Sequence, residues 1–132
     1  MSLLLVPWFL LSVLVSLTSG LRNVRARVPQ AVRRGDSAIL FCDFDLEGDK
    51  LYSVKWYKGR HEFYRFTPRE KPAMKVFPIP GLADLEVQTN ASNAKQLTLR
   101  NVTLILSGRY SCEISADAPS FHTALVTGEM DV

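Results

Sequence analysis

Two cysteines, Cys42 and Cys112, stand 70 residues apart in a chain of 132 residues, with Trp56 fourteen positions after the first and Tyr110 two before the second. If the cysteines are bonded to each other, that spacing limits the possible folds more than any other feature of the sequence. Bonding depends on compartment, because disulfides persist where the surroundings are oxidising.

The N-terminus speaks to the compartment. Met1 to Gly20 (MSLLLVPWFLLSVLVSLTSG) carries no charged side chain and is predominantly apolar from Leu3 to Leu17. The apolar run is shorter than the ~20 residues a membrane-crossing helix needs. It ends in Ser16, Thr18, Ser19 and Gly20, the small and polar residues a signal-peptidase site requires. The basic residue that usually precedes such a run is missing, which leaves the amino group of Met1 as its positive charge. The reading is a signal peptide over 1–20 and a mature domain over 21–132, secreted or on the extracellular face of the plasma membrane. A retained signal anchor is the competing reading. No later segment is long and apolar enough to span a bilayer, so the mature form is expected to have no transmembrane segment.

In that compartment two cysteines in one small domain are most simply a disulfide. A metal site would want more Cys or His at short spacing, and the only histidines are His61 and His122. Neither a metal nor a cofactor is expected. A Cys–His nucleophile is not excluded by counting, but nothing local supports one, and no acid–base pair appears, so no enzyme is expected. Closing the 70-residue loop stabilises the fold by roughly 4 kcal/mol on the chain-entropy model.

After Gly20 the chain reads as short strands between turns. Val24 to Val32 alternates loosely and is interrupted by Pro29, as an edge strand broken in two would be. Ala38, Leu40 and Cys42 share one face of a strand by period two. Asp43 to Lys50 is polar and reads as a loop. Leu51 to Lys58 should place Tyr52, Val54 and Trp56 on one face and Ser53, Lys55 and Tyr57 on the other. A turn at Lys58-Gly59-Arg60 leads into Phe63–Phe66. Four prolines between Thr67 and Gly81 indicate an irregular crossing between sheets. Leu85–Val87, Gln96–Leu99, Arg109–Ser115 and His122–Val132 complete the strands, and helical periodicity is not evident.

On these strands, Cys42, Trp56 and Tyr110-Ser111-Cys112 form the pin of an immunoglobulin-like β-sandwich. The class is all-β, with one inter-sheet disulfide. Two facing sheets stand about 10 Å apart, and a disulfide between their central strands bridges the gap. Trp56 packs against the sulfurs, and Tyr110 is placed to turn its hydroxyl back onto the preceding corner. The long separation and the extra Phe63–Phe66 segment favour a variable-type domain. Leu106 stands where such domains usually carry an acidic residue, so their buried Arg–Asp pair is not expected.

From Leu21 onward the sequence closely resembles the first immunoglobulin domain of the beaten path family of arthropod neuronal proteins. The matching stretches are VPQAVRRGDSAILFCDFDLEGDKLYSVKWYKG at Val28–Gly59, HEFYRF at His61–Phe66, KVFPIPG at Lys75–Gly81 and SGRYSCEISADAPSFHTALVTGEM at Ser107–Met130. The resemblance implies heterophilic recognition in axon guidance and synaptic partner choice. The partners it implies are sidestep-type immunoglobulin cell-surface proteins. Family members carry a second immunoglobulin domain and sometimes a membrane anchor; the matching stretches cover the first domain, and tethering is not carried over from the family.

Variable-type sandwiches often pair through the sheet that holds the Trp56 strand and the last two strands. Its outward side chains should include Lys55, Tyr57, Arg109, Ser111 and Glu113, together with one parity of Phe63–Phe66 and Phe121 in the adjoining loop. An outward aromatic among charges suits a protein interface, although Tyr57 and Phe121 could simply cap the sandwich edge. A second reading rests on charge. Lys55, Lys58, Arg60, Arg65, Arg69, Lys71 and Lys75 face only Glu62 and Glu70 within their segment, an excess that could attract sulfated glycans. Nucleic acid is not expected, because the overall formal charge is only +3. Asn90-Ala91-Ser92 and Asn101-Val102-Thr103 are glycosylation sequons, expected to shield the sheet opposite the binding face. Arg34-Gly35-Asp36 spells an integrin-type tripeptide but reads as an ordinary turn, with Gly35 at positive φ.

Overall fold

The computed structural model describes residues 20–132, and the signal-peptide reading of 1–20 lies, but for Gly20, outside the described residues. Among the described residues, nine strands form two antiparallel sheets. The strands are β1 (Arg22–Arg27), β2 (Ala38–Asp45), β3 (Leu51–Lys58), β4 (His61–Phe66), β5 (Met74–Val76), β6 (Glu86–Val87), β7 (Gln96–Arg100), β8 (Gly108–Ala116) and β9 (Thr123–Met130). One sheet has the order β1-β2-β7-β6 and the other β5-β4-β3-β8-β9.

Period-two alternation accounts for the core. In β2, Ala38, Leu40, Cys42 and Phe44 are buried and the residues between them are not. In β8, Tyr110, Cys112, Ile114 and Ala116 face in. Cys42 on β2 and Cys112 on β8 are joined with their Cα atoms 6.3 Å apart, so the bond ties the middle of one sheet to the middle of the other. Trp56 is the cross-strand neighbour of Cys112 and is wholly buried. Its indole N–H has no acceptor among the described residues, so packing alone holds the ring.

The expected corner forms. The Tyr110 hydroxyl donates to the Leu106 carbonyl at 2.6 Å, and the Leu106 side chain fills the core where an acidic partner was not expected. The Phe63 ring meets the Tyr110 ring edge-on at 6.1 Å. Gly35 takes φ +93° as its turn requires, and the turn packs back through Gly35 N–H to the Val102 carbonyl.

Four local readings need correction. β2 runs on to Asp45, because Phe44 has a core site to fill, and the loop begins only after it. Tyr52 does not face the core: β3 bulges between Leu51 and Ser53, and this extra residue turns Tyr52 outward and Ser53 inward. A second bulge, where Trp56 and Tyr57 face Tyr64 and Glu62, inserts Phe63, so Phe63 and Tyr64 are both buried and neither parity of Phe63–Phe66 faces out as a set. The proline-rich stretch contains β5, which pairs with β4 and keeps this part of the chain in the five-stranded sheet.

The broken edge strand is explained by a crossing. β1 pairs with β2 as far as Arg27. Beyond Pro29 the chain joins the other sheet, with Ala31 bridging Asp131 in parallel and Val32 N–H donating to the Asp131 carbonyl at 2.8 Å. The crossing passes over Gly128 so closely that a Cβ there would lie 2.7 Å from Val28 Cγ2 and 2.9 Å from Val28 Cβ. Gly128→Ala should therefore destabilise the domain by about 1–3 kcal/mol in urea unfolding. In a Val28→Gly background, which removes both the Cγ2 and the Cβ, most of that loss should disappear; equal loss in both backgrounds would rule out this contact as its cause.

Candidate functional site

The outward face of the five-stranded sheet is built by register. One row crosses it as Lys75, Arg65, Lys55, Glu113 and Leu125, each on a different strand. The next contains Tyr57, Ser111 and Thr127, with Ser111 Oγ and Thr127 Oγ1 2.9 Å apart. The expected residues Lys55, Tyr57, Arg109 and Glu113 all belong to this face. Three of them form one cluster: the Tyr57 hydroxyl donates to Glu113 Oε1 at 3.0 Å, and Lys55 Nζ stands 4.0 Å from the same oxygen. Tyr57 is thus a half-buried, engaged side chain rather than a free one. Burial, and then the carboxylate of Glu113, push its pKa up to about 12. Arg109 lies apart, 3.7 Å from Glu129 in an exposed pair that holds little energy.

The basic excess is largely neutralised in space. Lys55 faces Glu113, Arg65 binds Glu62, Arg69 binds Asp117 and Lys75 binds Glu70. Lys58 donates to the Ser107 carbonyl at 3.0 Å and lies over the Tyr110 ring, where burial lowers its pKa. Arg60 and Lys71 alone of the seven have none of these partners among the described residues. A sulfated chain would have to displace carboxylates already in place.

Large apolar side chains stand exposed on this face and on the loop where β8 turns into β9. Phe121 is 69% exposed, Leu125 59% and Tyr52 51%. Tyr52 and Phe121 line an open depression with Ser115, Ala116, Asp117 and Thr123. Leu125 lines a second with Tyr57, Gly59, Arg60, Ser111 and Glu113. Sequence reasoning found Phe121 but missed Leu125 and placed Tyr52 on the wrong side.

Several contacts hold the loop that carries Phe121. Asp117 N–H donates to the Lys50 carbonyl at 2.8 Å, and its carboxylate accepts Ala118 N–H at 2.8 Å and pairs with Arg69 at 2.7 Å. Ser120 Oγ donates to Asp49 Oδ2 at 2.7 Å. Three loops are therefore tied together behind one aromatic ring. Phe121 itself has φ +53°, a conformation unusual for a bulky residue and costing of order 1–3 kcal/mol.

The sequons fall on the other sheet's ends. Asn90 lies in a 3-10 turn between β6 and β7, Asn101 immediately follows β7, and both are exposed. Among the described residues no group of three or more His, Cys, Asp or Glu could hold a metal ion. No helix among them is long and apolar enough to cross a membrane.

With this geometry in place, a family model for the immunoglobulin domain matches residues 23–127. The chain belongs to the immunoglobulin domain family. Solved structures agree at the level of fold. The V domain of the amphioxus IgVJ-C2 molecule is 16% identical with a TM-score of 0.60, over 77% of this chain and 97% of that one. Murine CEACAM1b is 21% identical with a TM-score of 0.59, over 83% of this chain and 52% of that one. The whole amphioxus IgVJ-C2 molecule is 15% identical with a TM-score of 0.59, over 77% of this chain and 54% of that one. This immunoglobulin domain spans about half the length of the last two. Curated protein sequences give no match.

The Tyr57 environment has a consequence for alkaline pH. A phenol whose pKa is raised on folding contributes stability that is intact below its ordinary value of 10.0 and is lost as pH rises toward its folded value of about 12. Burial shifts Tyr64 and Tyr110 in the same direction. Stability should hold up to about pH 10 and fall above it. In an ultraviolet titration Glu113→Gln should lower the Tyr57 midpoint, though not to 10.0, because burial is the larger cause. An unmoved midpoint would show that Glu113 does not act on the phenol.

Proposed function

We propose that this immunoglobulin domain is a recognition module, secreted or held at the extracellular face of the plasma membrane. It binds another immunoglobulin-superfamily receptor heterophilically through the outer face of its five-stranded sheet. On the resemblance to beaten path proteins, the partners are sidestep-type cell-surface proteins and the setting is axon guidance and synaptic partner choice. Residues 1–20 direct secretion, the mature domain spans 21–132, and Asn90 and Asn101 carry glycans away from the binding face.

One observation carries the reading. Phe121 combines a costly backbone conformation with a largely exposed ring on a loop pinned at three points. Each of these features disfavours the free domain or restricts its motion. Together they suit an interface anchor: a rigid aromatic buries large area with little loss of rotamer entropy on binding. Tyr52 and Leu125 extend the apolar contact. Lys55, Tyr57, Glu113 and Arg109 form its polar rim, where satisfied pairs set register and reject mismatched partners more than they add affinity. The neutralisation of the basic segment weighs against the sulfated-glycan reading.

Replacement at the anchor separates function from folding. Phe121→Gly relieves the positive-φ strain but adds unfolded-chain entropy, so the unfolding midpoint should be no lower than wild type and secretion unchanged. Capture on immobilised sidestep-type ectodomains should weaken by about 30-fold, the effect of losing ~2 kcal/mol at a hot spot. Leu125→Ala and Tyr57→Ala should weaken capture less. Wild-type capture by all three variants would remove this face from consideration.

A further inference from the structure

We propose that an N-linked glycan on Asn101 is a structural cover for Leu104 and Ile105, shielding an apolar patch at the end of the sandwich opposite Phe121. The inference rests on the sequon reading and is independent of the partner face.

After β7 the chain turns sharply at Asn101, which has φ +50°, a left-handed conformation that asparagine tolerates better than most residues. Val102 then anchors the loop: its side chain is buried, its N–H donates to the Asp36 carbonyl at 3.0 Å, and its carbonyl accepts Gly35 N–H at 2.8 Å. The 3-10 turn Leu104–Leu106 follows. Leu106 fills the core, but Leu104 is 60% and Ile105 55% exposed. Single exposed aliphatics are ordinary. Two adjacent ones, fixed outward between the buried Val102 and Leu106, make a small sticky surface.

The sequence places a bulky, solubilising modification beside it. Chain geometry keeps the Leu104 Cα within ~11 Å and the Ile105 Cα within ~15 Å of the Asn101 Cα, within reach of the first sugars of an N-linked chain. The Asn101 amide is also free for it. Asn93 shows what a structural asparagine does here, its Oδ1 accepting the N–H groups of Lys95 and Gln96. The Asn101 side chain makes no such bond among the described residues and is exposed. The sequon threonine, Thr103, is meanwhile tied by its hydroxyl to Asp84 at 3.2 Å.

The test uses the secreted protein from a eukaryotic host in an Asn90→Gln background, so that Asn101 is the one remaining sequon. Glycosidase treatment should reduce the mass by one glycan, and the treated protein, now aspartate at 101, keeps a residue that accepts the left-handed turn. Removal should raise the fluorescence of an apolar dye several-fold and produce concentration-dependent self-association by light scattering. The Leu104→Ser/Ile105→Ser double variant should show neither effect. Thr103→Val, which abolishes the sequon while retaining Asn101, should behave like the enzyme-treated protein. Absence of sugar at Asn101 would overturn the proposal. So would an unchanged monomer after its removal, or self-association that persists in the double variant. Partner capture is read in parallel. The nine residues of β8 separate the two ends by roughly 30 Å, so deglycosylation should leave capture intact, and loss of one property does not entail loss of the other.

Discussion

The bond between Cys42 and Cys112 fixes the distance between the sheets, and most other features of the molecule answer to that distance. It joins β2 to β8 at their buried middles, and Trp56, alongside Cys112 on β3, fills the space around the sulfurs. Once those three residues are set, the neighbours have defined tasks. Leu40 and Leu97 close the core from one sheet, Ile114 and Val54 from the other. Tyr110 is held two residues before the bond, so its hydroxyl reaches the Leu106 carbonyl and fixes the turn that leads into β8. A cross-link of this span removes much of the freedom of the unfolded chain, which helps a small domain tolerate strain elsewhere.

That strain is not spread evenly. The core strands obey their propensities, and Phe121 does not. Its backbone sits at positive φ and its ring faces water, while Asp117, Arg69, Ser120 and Asp49 hold the loop in that shape. Free-energy loss at a surface loop of a rigid scaffold is the usual mark of a site shaped for binding rather than for folding. The middle of the same face is neutral by pairing: Lys55, Arg65 and Lys75 each have a carboxylate close by. Under the proposed function such a face would discriminate by the position of its charges and take its affinity from its exposed apolar side chains.

Much of the fold could be read from residue order alone, because alternation and the cysteine–tryptophan spacing are local or pairwise signals. Ala38, Leu40 and Cys42, then Tyr110 and Cys112, fall where period two puts them. The reading failed at two bulges, since one inserted residue reverses the faces of everything before it. Tyr52 was thereby assigned to the core and the Phe63–Phe66 strand given a clean outward parity. The site was harder to read. Phe121 was visible as an aromatic in a loop, but the clamp behind it joins Asp49 to Ser120 and Arg69 to Asp117 across long stretches of chain. No periodicity encodes such pairs. The neutralisation of the basic segment was hidden for the same reason, because the partners of Lys55 and Arg69 lie outside it, on β8 and in the loop after it.

The two ends of the sandwich have been made different by the same topology. Strands that alternate in direction send the β2–β3, β4–β5 and β8–β9 loops to one end, and the β7–β8 connection and the final residues to the other. At the first end, loops remote in sequence meet, and three of them combine to brace one aromatic. At the second, the β7–β8 connection is braced by backbone bonds between Val102 and the turn at Gly35 and Asp36, with the Tyr110 hydroxyl on the Leu106 carbonyl as its main side-chain tie. Side-chain clamps specify one loop shape and are lost by single substitutions, whereas backbone bonds tolerate sequence change. On the proposed function, substitutions at the first end would alter what the domain recognises, and on the proposed glycan cover those at the second would alter mainly how it is shielded.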